Sequence, residues 1–291
     1  MRRPLQTLKQ RIRMRPIDIA ALIVVLVYGV LALSAQLGTS VAGQGLDPVW
    51  AAARQRGRLR VAVDIGFYPF SGIANNQPVG YDIDLARAIA GRLGLGVQFV
   101  PSSVEAIYET LDSDQADMGV SALPYAPDQG WRVDFSTFYF NAGQVLVVPV
   151  GSPIRGLRQL HGRRLGVPLG SDADTFARKL VLGDASIQLM PDYDTPAEVL
   201  ADLRRGRLDA AIVDNAAALS DIGHYSGLRL LIALTLEPYV IATPSRAYEL
   251  HKRINQALKD LQNQGFFEQN GKKWFVDAPL PTPRPRYMPA T

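Results

Sequence analysis

Short apolar runs alternate with helical repeats along most of the chain. A short helix is predicted to begin at Pro48, with Asp47 as its N-cap, and to end at Gly57. The run at 59–63 is rich in β-branched residues and ends at Asp64, which predicts a short buried strand. A helical repeat follows, with Asp84 as its expected N-cap; its apolar residues, four positions apart, are Leu85, Ile89 and Leu93. The next elements predicted are a strand at 96–100, a helix at 104–112 and a strand at 116–123. This order favours right-handed βαβ crossovers and a mainly parallel sheet.

A second series of the same kind begins after the strand at 144–150. Its predicted elements are a strand at 163–169, a helix from about Ser171, a helix at 196–207, and strands at 209–213 and 229–234. A strand at 236–243 and an amphipathic helix at 248–264 complete the chain. The two series predict two α/β lobes, and the Pro-rich tail at 277–291 is expected to be disordered.

The N-terminal 42 residues read as a targeting segment. An uncharged apolar run of 17 residues, 19–35, follows a basic stretch, as in a signal sequence or a short membrane anchor. The charge asymmetry predicts that everything after the run is exported. Ser40-Val41-Ala42 offers a cleavage signal, yet the run is also long enough to cross a thin bilayer, so cleavage and anchoring both stay open.

The positive charge of the chain lies almost entirely in this segment. The formal net charge is +4, and residues 1–42 carry six basic residues against Asp18, or +5, which leaves about −1 for the rest. A near-neutral body has no basic surface for phosphate backbones. We therefore expect no nucleic-acid partner.

The residues and motifs that several kinds of catalytic or metal site require are missing from the sequence. The chain has no cysteine, which excludes disulfides, thiolate ligands and a cysteine nucleophile. The three histidines, His161, His224 and His251, lack the spacing of metal sites. Neither phosphate-binding glycine loop nor a GxSxG serine motif is present. Asp192 and Asp194 lie in a turn-like segment and are read as solvated. We therefore expect a binding protein with no metal or cofactor.

The chain resembles the family 3 extracellular solute-binding proteins, which bind polar amino acids for ABC importers. The resemblance covers about residues 57–276 and rests on the strings GRLRVAVD, FYPF, VGYDIDLARAIAGRLG, ADMGVSAL, RVDFSTFYF, RRLGVPLGS, RGRLDAAIVDN, LEPYVIAT and GFFEQNGKKWF. It implies a type II periplasmic-binding-protein fold, α/β, with two doubly wound lobes that close on a ligand. Lobe 1 would comprise 57–145 plus 234–276 and lobe 2 would comprise 152–231, with crossings near Val147 and Ala233.

The resemblance also assigns ligand-binding residues in lobe 1. Asp64 and Phe67 match positions that face the ligand, and a carboxylate beside an aromatic ring suits a cationic group. Asp64 as a simple turn cap is the alternative. Tyr68 and Phe70 either contact the ligand or close the core. Ser121, in the string ADMGVSAL, is assigned to the same site.

In lobe 2 the best candidate is Asp214. It matches the aspartate that pairs with a ligand amine, although an N-cap role would also favour aspartate there. Gly170 and Ser171 match a pair at a helix start, where free N–H groups attract an anion. A plain serine cap is the alternative.

One departure from the family pattern concerns the ligand carboxylate. Gln129 occupies the position of the carboxylate-clamping arginine, and Pro124 that of an upstream threonine. Glutamine donates only neutral hydrogen bonds and proline has no N–H, so a carboxylate would lose a contact of about 1.5 to 3 kcal/mol. Arg132 could reach the same space if the segment is helical; otherwise it is a surface arginine.

These observations predict an exported, non-enzymatic, monomeric receptor that delivers a small polar, amine-bearing solute to an ABC permease. A membrane-anchored sensor with the same lobes is the first alternative. An enzyme on this scaffold, such as a dehydratase with Glu237 or Asp64 as acid or base, is the second.

Overall fold

The computed structural model describes residues 47–275. The predicted signal or anchor at 1–42 and the predicted disordered tail at 277–291 lie outside these residues. Between 47 and 275, no helix is both long enough and apolar enough to cross a membrane.

The described chain alternates helices and strands as the apolar pattern predicts. The helices are α1 Pro48–Arg56, α2 Tyr81–Arg92, α3 Ile107–Asp112, α4 Asp172–Gly183, α5 Pro196–Arg204, α6 Asn215–His224, α7 Tyr248–Asn263 and α8 Phe266–Phe275. Short 3-10 turns lie at Val104–Ala106, Pro127–Gln129 and Leu157–Leu160. The strands are β1 Arg58–Val63, β2 Gly72–Ala74, β3 Gln77–Val79, β4 Gly96–Pro101, β5 Met118–Gly119, β6 Val133–Phe135, β7 Phe140–Asn141, β8 Gln144–Pro149, β9 Arg164–Pro168, β10 Gln188–Tyr193, β11 Ala210–Asp214, β12 Leu228–Ala233, β13 Pro238–Tyr239 and β14 Ala242–Pro244.

Two five-stranded sheets form the two lobes. The first has the order β4-β1-β5-β14-β6, with β1 parallel to β4 and β5 and with β14 antiparallel to its neighbours. The second has the order β10-β9-β11-β8-β12, with β9 parallel to β10 and β11 and with β8 antiparallel to β11 and β12. The parallel core of each sheet agrees with the predicted crossovers, and the antiparallel strands are those next to the lobe crossings.

The chain passes between the sheets at 136–143 and 234–241, where β7 and β13 pair with each other. Strand β8 lies wholly in the second sheet. The predicted end of lobe 1 at residue 145 and the crossing expected near Val147 therefore differ by a few residues from the first crossing, because β8 pairs on both sides with strands of the second sheet.

Helix starts follow their capping residues in four cases, one of which is Asp214 at the start of α6. Asp47 accepts the Trp50 N–H with Pro48 at the first helical position, Ser171 accepts from Asp174, and Thr195 forms a capping box. The cap at Asp47 was predicted from the sequence and is confirmed. The cap at Ser171 was one of the two roles left open for that residue, and the structure shows it.

The predicted cap at Asp84 is wrong. Helix α2 begins at Tyr81, after Gly80, because the N–H groups of Tyr81 and Asp82 donate to the carbonyls of Pro69 and Phe70. Tertiary acceptors thus replace a side-chain cap and let the helix start one turn earlier.

An aromatic cluster fills the core of lobe 1. Phe70 is 1% exposed and contacts five rings at centroid distances of 5.1 to 5.8 Å; they belong to Phe67, Tyr81, Phe140, Tyr239 and Phe275. Of the two roles open for Phe70, the core role is the one that the structure shows. Phe275 comes from α8, a helix that the sequence did not predict separately.

Gly80 stands where the loop that carries Phe70 crosses the start of α2. Its φ is 141°, and an added Cβ would lie 2.1 Å from the Phe70 carbonyl oxygen. Neither the backbone angle nor the space accepts a side chain.

We expect Gly80→Ala to lower the free energy of unfolding by at least about 3 kcal/mol, because strain and a backbone clash add. Gly91→Ala is the matched control. An added Cβ at Gly91, within α2, meets nothing within 4 Å, and this change should stabilise the protein by up to about 1 kcal/mol. Urea denaturation of both variants checks the prediction, and equal stabilities would contradict it.

Asp82, in the first turn of α2, is fully buried and accepts the N–H of Ala122, in the loop after β5. Ala122 has a φ of 44°, so this bond holds a strained loop residue in place. Burial raises the pKa of Asp82 to about 7. In the unfolded chain the carboxyl loses its proton near its ordinary pKa of 3.8. Its contribution to stability is therefore complete below about pH 4 and is lost as the pH rises to 7.

Asp82→Asn keeps an acceptor for Ala122 and removes the charge. Its stability relative to wild type should therefore rise between pH 5 and pH 8, as measured by urea denaturation at both values. Asp117→Asn serves as the control, since Asp117 is buried between Arg56 and Arg60 and the change should destabilise at both pH values. A stability difference for Asp82→Asn that is the same at pH 5 and pH 8 would contradict the assignment.

Candidate functional site

The carboxyl ends of β1 and β5 meet at one edge of the first sheet, because the two strands are parallel neighbours. Asp64 follows β1, and its N–H donates to the Ser121 hydroxyl at 3.0 Å. Ser121 is 1% exposed and follows β5 by two residues. The structure thus brings together two of the predicted binding residues, with Ser121 holding the backbone of Asp64.

The side chain of Asp64 is half-buried, and within residues 47–275 it has no hydrogen-bond donor or cationic partner. Beside it in the chain, Phe67 is 48% exposed and Tyr68 is 64% exposed. The Phe67 ring stacks on Phe70 at 5.6 Å, and the Tyr68 ring meets Trp274 edge-on at 6.3 Å. These two rings therefore rest on the core of lobe 1 and present their other faces to solvent, where a ligand could pack on them.

Asp214 ends β11 and caps α6 in lobe 2. Its Oδ1 accepts the Ala217 N–H at 2.8 Å, so the capping role is real. The other oxygen has no cationic partner among the described residues. Burial raises the pKa of Asp214 above its ordinary value of 3.8, against the opposing effect of the backbone hydrogen bonds. A desolvated carboxylate with no counter-charge is a strong attractor for a cation.

Asn141 forms hydrogen bonds that link the start of α6, next to Asp214, with both crossings. Its backbone carbonyl accepts the Asn215 Nδ2 at 2.7 Å, its Oδ1 accepts the Glu237 N–H at 2.9 Å, and its Nδ2 donates to the Thr235 carbonyl at 3.0 Å. The start of α6, where Asp214 stands, is therefore tied to the two segments that join the lobes. This role of Asn141 was not predicted from the sequence.

Gly170 and Ser171 start α4 as predicted, but their polar groups are occupied. The Gly170 N–H donates to Asp174 Oδ2 at 3.1 Å, and the Ser171 hydroxyl donates to the Pro168 carbonyl at 2.7 Å while accepting the Asp174 N–H. Asp174 is buried and also pairs with Arg178. The serine is a cap, and the helix start already holds a carboxylate of its own chain.

The residues at the predicted carboxylate clamp are likewise engaged. Gln129 Nε2 donates to Asp128 at 2.7 Å. Pro124 bridges to Tyr239 in the second crossing. The structure places Gln129 in a short 3-10 turn.

Arg132 points its guanidinium at the acidic face of α3. Its Nε donates to Asp112 at 2.7 Å and it pairs with Glu109 at 3.4 Å, while its side chain lies against the ring of Trp131. These ion pairs offset the positive charge of Arg132, which would be needed to hold a ligand anion. A ligand role for Arg132 stays a prediction.

Tyr239 marks the point where acidic groups from both lobes approach each other. Burial, and then the charges of Asp214, Asp82 and Glu237, raise its pKa to about 12. Glu237 lies in the second crossing and accepts the Thr235 hydroxyl at 3.1 Å. From the sequence, Glu237 was a candidate only as the acid or base of an enzyme. The pairing of β13 with β7 places Tyr239 opposite Phe140, and Glu237 is bound to Asn141.

Comparisons with known proteins agree with this geometry. The profile of bacterial extracellular solute-binding proteins, family 3, matches residues 59–277. The ABC transporter glutamine-binding protein of Bacillus subtilis is 29% identical over 225 residues, which cover 75% of this chain and 81% of that protein.

Two solved structures show the same two-lobed fold. The L-cystine solute receptor of Neisseria gonorrhoeae, unliganded and open, has a TM-score of 0.71 at 20% identity, covering 81% of this chain and 99% of that one. An ancestral cyclohexadienyl dehydratase has a TM-score of 0.67 at 26% identity, covering 78% of this chain and 95% of that one.

The family profile spans both sheets and both crossings, and it covers every residue of the site described above. The architecture is that of periplasmic binding proteins. The chain belongs to family 3 of the bacterial extracellular solute-binding proteins.

Proposed function

We propose that this protein is the extracytoplasmic receptor of an ABC importer and that it binds a small polar, amine-bearing solute between its lobes. The observation that carries the proposal is Asp214, a largely buried carboxylate beside the lobe crossings with no cationic partner among residues 47–275. Leaving such a charge unpaired is costly, and an ammonium group of the ligand would relieve that cost.

The lobe 1 residues complete such a site. Asp64 offers a second carboxylate, and the exposed rings of Phe67 and Tyr68 offer apolar and cation–π contacts to the body of an amine. Closure of the lobes about the two crossings would bring these groups toward Asp214.

Export and assembly complete the proposal. Residues 1–42 would direct the protein across the cytoplasmic membrane, either as a cleaved signal or as an anchor that includes 19–35. The loaded monomer would then deliver its ligand to permease subunits. Retention of the anchor without a permease would instead make it a ligand sensor.

A second candidate is an enzyme, favoured by the likeness to an ancestral dehydratase. Glu237 or Asp64 would then act as acid or base. Mass spectrometry of ligand recovered from the protein separates the two functions: a receptor returns it unchanged, and a dehydratase returns it short of one water.

The proposal is tested first by thermal shift of the full-length protein with arginine, glutamine, cystine, agmatine and putrescine. At least one of these amines or amino acids should raise the unfolding midpoint by mass action. No shift with any of them would contradict the proposal.

Asp214→Asn separates the capping role from the binding role, because asparagine caps helices as well as aspartate does but carries no charge. The variant should bind the compound that raised the unfolding midpoint about ten- to a hundredfold more weakly. This factor corresponds to the loss of a charged hydrogen bond of about 1.5 to 3 kcal/mol. Isothermal titration measures the affinity.

Asp47→Asn is the matched control, since Asp47 is also a buried capping aspartate and contacts Trp50 and Leu250. This variant should lose stability and keep its affinity. Equal affinity losses in both variants, or none in Asp214→Asn, would contradict a binding role for Asp214.

A further inference from the structure

We infer that the ligand is an organic cation without a carboxylate beside its amine, that is, an amine of the decarboxylated amino-acid type. This inference rests on the proposed receptor function and concerns the chemistry of the same site. It follows from how the hydrogen-bond donors and charges at the two lobe edges are already used.

The lobe 1 edge has few donors left for an anion. The Ala122 N–H is given to the buried Asp82, and Pro124 has no N–H. One N–H of the Gln129 amide donates to Asp128, so this group already lies beside a carboxylate. A ligand carboxylate placed here would have to displace one of these acidic side chains.

The lobe 2 edge carries its own anions. Helix α4 begins with Asp172, and Asp174 one turn further takes the Gly170 N–H. The Ser171 hydroxyl donates to Pro168. The field of the helix N-terminus, which would otherwise attract a ligand carboxylate, is therefore offset by two carboxylates of the helix itself.

The arginines next to these two edges already form ion pairs with carboxylates of the protein. Arg132 pairs with Asp112 and Glu109, and Arg178 pairs with Asp174. The charge of each guanidinium is therefore already offset by a carboxylate, which weakens its attraction for a ligand anion.

Acidic groups, in contrast, accumulate at the lobe crossings. Asp214 precedes Asn215, which is bound to Asn141 in the first crossing, and Glu237 lies in the second crossing. Asp64, at the end of β1, has no cationic partner among residues 47–275. A positive ligand gains from this field, whereas each negative group on the ligand is repelled by it. Selectivity against the carboxylate therefore comes from repulsion as well as from missing donors.

The test uses pairs of compounds that differ by one carboxylate: arginine and agmatine, lysine and cadaverine, ornithine and putrescine, histidine and histamine. Isothermal titration of the full-length protein should show the amine of at least one pair binding at least about tenfold more tightly than its parent amino acid. An amino acid that binds as tightly as its amine, or more tightly, would overturn the inference and leave the receptor function standing. Absence of binding in all four pairs would overturn the inference, and the receptor function would fall with it if glutamine and cystine also fail to bind.

Gln129→Arg tests the origin of the preference. A guanidinium at this position supplies a charged, bidentate donor, so the preference for amine over amino acid should shrink by about tenfold. Gln262→Arg, on the exposed face of α7, adds the same charge outside the site and should leave the ratio unchanged. A ratio that Gln129→Arg leaves unchanged would contradict the role given to this position.

Discussion

The hydrogen bonds of Asn141 are the contacts on which the site depends most. This one residue joins the first crossing to the second, through Thr235 and Glu237, and to the start of α6, through Asn215. Its side chain is almost wholly buried, so each of these bonds would be expensive to leave unmade. Asp214 is held next to both crossings because the residue after it is bound there. A motion of one lobe relative to the other would therefore pivot close to the residue that we propose binds the ligand amine.

The electrostatic arrangement around these crossings suits a receptor better than a rigid structural core. Structural ion pairs elsewhere in the chain are satisfied, as in Asp117 with Arg56 and Arg60. Asp64 and Asp214 have no such partner within residues 47–275. Folding alone gains nothing from unpaired, desolvated carboxylates, so their cost is one that ligand binding would offset. The same reasoning explains why a cation would be bound and why an additional ligand carboxylate would be rejected.

Much of the fold was predictable from the sequence because most helices and strands follow from local patterns of apolar and capping residues. Apolar periodicity located most of the strands and helices, and the capping residues Asp47 and Ser171 fixed two helix starts. The start of α2 was not predictable, since its first N–H groups are satisfied by the carbonyls of loop residues twelve positions earlier in the chain. The position of Asp214 at a strand end was evident, but its lack of a counter-ion and its closeness to Tyr239 depend on long-range packing. The ion pairs of Arg132 with α3 are equally non-local, which is why a free arginine was a reasonable expectation from the sequence.

The central claim is that the two lobes close on a cation held between Asp64 and Asp214. The chain has no cysteine, so two introduced cysteines can be spin-labelled without background. Glu105 and Thr175 are exposed, and each follows a strand at the carboxyl edge of its own sheet. Both residues are replaced by cysteine and spin-labelled. The distance between the two labels, measured by pulsed electron paramagnetic resonance with and without a saturating amine, tests closure directly. The account predicts a shorter distance in the loaded protein; an unchanged distance at full occupancy would contradict it.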